Sequence, residues 1–182
     1  NEAVLICPGN RELNAAPHGA YQCQGEDRWC VIAIYTDEEW RAFCQAIGSP
    51  PWTNDPKFAT LLGRKKNEAD LDTLVEQWTA GHPAEYVMNH LQRAGVPAGI
   101  VAKAEDLHKD PQLVHRQHYQ PLNHPVIGPH SYETPAFRFS KSPIALERPA
   151  PCLGEHNQYI CKEILGMKEE EYQSLDKAGV FR

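Results

Sequence analysis

The stretch Asp55–Val101, DPKFATLLGRKKNEADLDTLVEQWTAGHPAEYVMNHLQRAGVPAGIV, decides the fold class. Leu71, Leu74, Val75 and Trp78 recur at i, i+3, i+4, i+7, the spacing of a helix that buries one face, and Asn67 stands where a cap belongs. Pro83 opens a further helix whose Val87, Leu91 and Ala94 face inward. Gly95 ends that helix, Pro97 forbids its continuation, and Ala98–Val101 is a short apolar run that reads as a strand. Two pairs, Asp55-Pro56 and Asp110-Pro111, bracket the stretch as matching helix starts, with Asp as cap and Pro at the first helical position. Helices and strands mixed in this order predict an α+β domain.

Outward from this stretch, Tyr21–Gln24 and Cys30–Tyr35 read as a hairpin across Gly-Glu-Asp, a register that sets Cys23 opposite Cys30. A cross-strand disulfide is conceivable there; two free thiols on one sheet face is the preferred reading. Thr36-Asp-Glu-Glu39 is a capping box, and Trp40, Phe43, Cys44 and Ile47 behind it give a helix stopped by Gly48. Residues 1–19, with Pro8-Gly9-Asn10 and Pro17-His18-Gly19, read as an ordered loop or linker. The start at Asn1 rather than Met suggests an excised piece. Beyond the central stretch, Lys103–His108 and Pro111–His118 read as short helices and Tyr119–Asn123 with Ser131–Glu133 as a second hairpin. Phe137–Phe139 reads as another strand. Residues 141–151 are Pro-rich and extended, a helix runs from Leu153-Gly-Glu-His156 through Leu165, and Lys168–Ala178 forms the last one. The expected organisation is therefore a loop over 1–19, a small α+β domain over 20–140, and a linker with C-terminal helices over 141–182.

Composition narrows the function classes. The 182 residues carry a net charge of −6 with no basic stripe, which argues against a nucleic-acid partner. No apolar run approaches the ~20 residues of a membrane span. The six cysteines form no CxxC pair, so a reducing cytoplasm is expected.

Candidate chemistry is sparse. His115 and His118 are helix neighbours with no carboxylate or thiol at ligand spacing, and no metal site is expected. Asp37, Glu38 and Glu39 fill a helix first turn, Asp55 and Asp110 are caps, and none sits in the strained glycine-rich context of a nucleophile. No catalytic residue is assigned. Arg64-Lys65-Lys66 reads as a solvated turn, and no GxGxxG or Walker loop is present. Gly154, Glu155 and His156, at a helix start, are a candidate anion site, although helix-start roles explain Glu155 and His156 as well.

Taken together, Gly19–Gly25 with Trp29–Ile34, Trp40, Asp55-Pro-Lys-Phe58, Arg64, Asn67, Ala94–Gly99, Asp110-Pro-Gln112, His124-Pro125, Gly128, Pro135, Phe137 and Leu153–Asn157 resemble the family III CoA-transferases (CaiB/BaiF, formyl-CoA transferase-like). The resemblance implies the small inserted domain of that fold plus a C-terminal helical tail returning to a Rossmann-like large domain absent from this chain. It implies an acyl-CoA:carboxylate CoA-transferase that works through an aspartyl-CoA intermediate, with the nucleophilic Asp in the missing N-terminal half. It also implies coenzyme A and acyl-CoA as substrates with no permanent cofactor, a small carboxylate as acceptor, and an interlocked homodimer. The family's glycine-rich small-domain loop corresponds here to residues 9–19, which keep only the end glycines; Asn10, His18 and Gly19 are the substrate-loop candidates. Two alternatives stand beside this: an α-methylacyl-CoA racemase of the same fold, and a non-catalytic binding or dimerisation module.

Overall fold

The computed structural model describes residues 7–181. They form two compact units divided between Ala102 and Lys103.

In the first unit, β1 (His18–Gln22) and β2 (Trp29–Ala33) form an antiparallel hairpin. After α1 (Asp37–Ala46) come α2 (Leu61–Lys66), α3 (Glu68–Thr79) and α4 (Ala84–Arg93), and the chain then returns as β3 (Ala98–Ile100) on the free edge of β2. The sheet order is β1-β2-β3, all antiparallel. Alternation sorts its two faces: Tyr21, Cys23, Cys30 and Ile32 are buried beneath α3 and α4, while Val31 is exposed on the other side. Phe43, Phe58, Leu71, Val75, Val87 and Leu91 complete the core. Each such fully buried side chain contributes about 1.5–3 kcal/mol of transfer free energy.

Local chemistry explains the element ends. Thr36 and Glu39 form the expected capping box, with the Thr36 hydroxyl accepting from Glu39 N–H at 3.1 Å and the Glu39 carboxylate accepting from Thr36 N–H at 3.1 Å. At the end of α4, Val96 N–H bonds to Leu91 C=O and Gly95 N–H to Gln92 C=O, both at 3.0 Å, with Gly95 at φ +81°. This paired closure needs the left-handed residue that glycine supplies without strain. The residue it turns inward is Val96, whereas Ala94 is exposed, a correction of the sequence reading. Asn67 is a second correction: its side chain donates to Gly63 C=O within α2, and α3 begins without a side-chain cap. Asp55 and Asp110 do cap, although the turn that follows Asp55 is a three-residue 3-10 helix.

Register corrects the cysteine pairing. Tyr21 faces Cys30, and Cys23 N–H bonds to Arg28 C=O at 2.8 Å, so Cys23 lies diagonal to Cys30 rather than opposite it. All six thiols are free. Burial raises the Cys23 thiol above its ordinary range and lifts Cys30 to about 12.

The second unit holds α5 (Ala104–Leu107), α6 (Pro111–His115) and a hairpin of β4 (Tyr119–His124) with β5 (Gly128–Glu133). His124 Nδ1 accepts from Val126 and Ile127 N–H at 3.1 and 3.3 Å and so closes the hairpin turn. Phe137–Phe139 is not a strand: both phenylalanines are exposed and pack on each other edge-to-face at 5.3 Å. Residues 141–151 carry no regular secondary structure. The helix expected from Leu153 begins later, at 157, because Leu153–His156 forms a turn with Gly154 at φ +74°. Its main part, Tyr159–Ile164, is π-helical, and α7 (Glu169–Lys177) packs Tyr172 against Phe181 at 5.0 Å.

The division after Ala102 falls inside 20–140, the stretch the sequence reads as one domain. The physical reason is hydrogen bonding: β3 joins the β1–β2 sheet, whereas β4 and β5 form a two-stranded sheet of their own.

Candidate functional site

The loop leading into β1 and the start of that strand gather the substrate-loop candidates. Asn10 lies in the loop, whereas His18 and Gly19 are the first two residues of β1 rather than part of a loop over 1–19. Ala15 and Ala16 are fully buried, and Ala16 N–H bonds to Ile34 C=O while Ile34 N–H bonds to Pro17 C=O. The Ala16–Pro17 peptide is cis. From this anchor the chain reaches His18, whose Nδ1 lies 2.5 Å from Asn10 C=O. A carbonyl only accepts, so Nδ1 carries the proton and Nε2 is the ring's acceptor. The His18 ring also meets Tyr35 edge-on at 6.0 Å. Two of the three candidates are therefore bonded to each other across the loop.

Gly19 follows directly. A Cβ there would lie 3.1 Å from the Tyr21 ring, so the small residue lets Tyr21 fold beneath the strand. Asn10, His18 and Gly19 together line a cavity of about 510 Å³ with Arg11 and Glu12. A second cavity of about 290 Å³ shares Asn10, Arg11, His18 and Gly19 and adds Tyr21, Asp72 and Glu76. The Tyr21 hydroxyl donates to Asp72 at 2.8 Å. Burial holds both groups above their ordinary ranges; for Asp72 the hydrogen bond from Tyr21 pulls the other way.

What fixes the loop is a residue pair that the sequence reading placed in a solvated turn. Arg64 is fully buried: Nε donates to Ala16 C=O at 2.8 Å, Nη1 to Phe58 C=O at 3.3 Å and Nη2 to Asp37 at 3.3 Å. Its guanidinium lies 4.8 Å from the Trp40 ring centroid. Desolvation lowers its pKa, and Asp37 opposes that. Lys65 Nζ donates to Glu12 C=O and to Glu68, both at 2.7 Å. Of the triplet, two cations thus clamp the two ends of the loop, and Arg11 reaches Glu68 at 3.7 Å from the loop itself. Sequence inspection missed Arg11, Tyr21, Arg64, Lys65 and Asp72. The one legible signal was a basic run beginning four residues after the Thr60 cap of α2, and its first residue, Arg64, is the buried one.

The second candidate constellation has a different geometry. Gly154, Glu155 and His156 lie in the turn before residue 157, and the Glu155 carboxylate accepts from Cys152 N–H at 2.7 Å. A carboxylate thus occupies a donor at the point where an anion was expected. Glu155 and His156 border a cavity of about 650 Å³ with Arg148 and Tyr159.

Asp37 and Asp72 have partners in Arg64 and Tyr21, and Asp55 and Asp110 bond to backbone N–H groups at helix starts. Among the described residues no group of three or more His, Cys, Asp or Glu is gathered as a metal site, and no helix is long and apolar enough to cross a membrane.

The family model described as CoA-transferase family III matches residues 2–157, and the chain belongs to that family. The probable CoA-transferase Rv1866 of Mycobacterium tuberculosis is 38% identical over 159 residues, covering 87% of this chain and 20% of that protein. The succinyl-CoA–D-citramalate CoA-transferase of Chloroflexus aurantiacus is 31% identical over 173 residues, 95% of this chain and 43% of its own length. A CaiB/BaiF family protein from Brucella suis has the same fold at a TM-score of 0.72 and 26% identity, covering 86% of this chain and 39% of that one. The chain thus spans less than half the length of each of these relatives.

Proposed function

We propose that this chain is the small α+β domain and returning tail of an acyl-CoA:carboxylate CoA-transferase whose nucleophilic aspartate lies in a Rossmann-like half outside it. The observation that carries the reading is the cavity around Asn10, His18 and Gly19, which the proposal takes as the counterpart of the family's substrate loop. In the proposed reaction an aspartate attacks the acyl-CoA thioester to give a mixed anhydride. The released CoA thiolate converts this to an aspartyl-CoA thioester, and the acceptor carboxylate then reacts with that species. A carboxylate is a weak nucleophile towards a thioester, so positioning and stabilisation of the developing oxyanion supply most of the acceleration.

This chain's part is to close over the reacting acyl group. His18 is held by its bond to Asn10 and offers Nε2 as an acceptor, while Arg64 and Lys65 keep the loop seated. The relatives' names specify succinyl and formyl thioesters, and a short acyl group suits a cavity of about 510 Å³. An interlocked homodimer and a cytoplasmic setting belong to the same proposal; six free thiols support the latter. Gly154, Glu155 and His156 remain proposed as an anion site of the tail.

The test uses an active enzyme containing this chain. His18→Ala and Gly19→Val are each expected to lower kcat/KM by about 10- to 100-fold, the scale of a lost or misplaced positioning contact. Unchanged kinetics in both variants, with folding intact by melting, would remove the loop from the site.

A further inference from the structure

The cavity beside the β4–β5 hairpin is lined by cationic and neutral donors. It measures about 260 Å³ and is bordered by Arg116, Gln117, Gln120, Thr134, Arg138 and the Phe137–Phe139 pair, with no Asp or Glu in its lining. In a protein of net charge −6, two arginines border this one cavity with no carboxylate in its lining. Arg116 donates only to Ala136 C=O, at 3.3 Å, and Arg138 has no ion pair among the described residues.

Gln117 adds an independent sign. It sits just past α6 at φ +52°, where His118 N–H bonds back to Leu113 C=O and Gln117 N–H to Val114 C=O. Glycine takes this left-handed position without strain, and glutamine does not. A glutamine kept at a left-handed position that also borders a cavity points to use of that residue. Thr134 reaches back to Gln117 C=O at 3.4 Å and ties the two walls together.

We propose that this cavity binds the phosphate group of an organic phosphate, with a flat apolar part of the ligand against Phe137 and Phe139. Two guanidinium forks and two amides offer more donors than the two oxygens of one carboxylate accept, whereas a phosphate presents three terminal oxygens. The phenylalanine rings, edge-to-face at 5.3 Å and more than half exposed, leave aromatic surface for a planar ligand group. The phosphate can come from a free nucleotide or from coenzyme A. The inference does not rest on CoA transfer.

Calorimetric titration of the protein with inorganic phosphate, ADP and CoA at low ionic strength tests it. ADP is expected to saturate, Arg116→Gln and Arg138→Gln each to weaken it about tenfold, and Arg138→Lys to retain part of the affinity. Added salt weakens the binding, because both arginines are exposed. Similar affinities for ADP and CoA assign the site to the diphosphate that both carry. CoA binding without ADP binding assigns it to CoA's own 3′-phosphate. Absence of binding by all three probes at millimolar concentration overturns the proposal, as does binding unchanged in both glutamine variants. Thermal melting checks that the variants fold, and the loss of Arg138, which has no ion pair to break, should leave it unchanged.

Discussion

Arg64 reaches the Ala16 and Phe58 carbonyls and the Asp37 carboxylate, and it does so from complete burial. Removing it leaves two carbonyls in the core without their donor and Asp37 without its cation, so Arg64→Ala is expected to cost about 3–5 kcal/mol in chemical denaturation. Arg64→Lys keeps the charge but not the fork and should recover only part of that. A loss below about 1 kcal/mol for the alanine variant would show that the clamp is not structural. The sequence placed Asn10, His18 and Gly19 in one loop, and the fold brings them to one cavity. It did not reveal Arg64. Charged residues are almost never fully buried unless paired, and the partners that overturn the surface reading are backbone carbonyls 48 and 6 residues away, which no local pattern encodes.

At the scale of elements, periodicity carried α1, α3, α4 and the first hairpin, because each buries one face, while the second hairpin was read from the turn between its strands. It failed at Phe137–Phe139, where apolar alternation occurs without a partner strand to hydrogen-bond, and at Cys23, where the register was two residues off and so kept both cysteines on one face. The inner face of β1 and β2 presents Tyr21, Cys23 and Cys30, all pushed upward chiefly by burial. These groups are neutral in the fold, and their folded pKa values lie above the unfolded ones. Their contribution is therefore fully present below about pH 9 and lost as pH rises towards 12, at up to about 1.4 kcal/mol per pH unit for each group. Unfolding free energy should hold steady to pH 9 and then fall. Tyr21→Phe and Cys30→Ala should each flatten that fall, and a slope identical to the parent protein's in both variants would contradict the assignment.

Over the whole molecule, apolar burial is uneven. Nearly all of the fully buried apolar residues belong to the first unit, whereas the second exposes Val114, Val126, Leu153, Ile164 and Leu165 and buries Cys161 and Tyr172. Such a distribution suits a chain that completes its packing on other protein surface. It also agrees with a match that spans less than half of each relative described above. Every aspartate discussed above already has a helix-capping, ion-pairing or hydrogen-bonding role. The most direct measurement is to incubate chain 1–182 with succinyl-CoA and a carboxylate acceptor, follow CoA transfer chromatographically, and search the peptides by mass spectrometry for a CoA adduct. The expected result is unchanged succinyl-CoA and no aspartate carrying CoA. Turnover above contaminant level, with CoA attached to an aspartate of this chain, would contradict the placement of the nucleophile outside it.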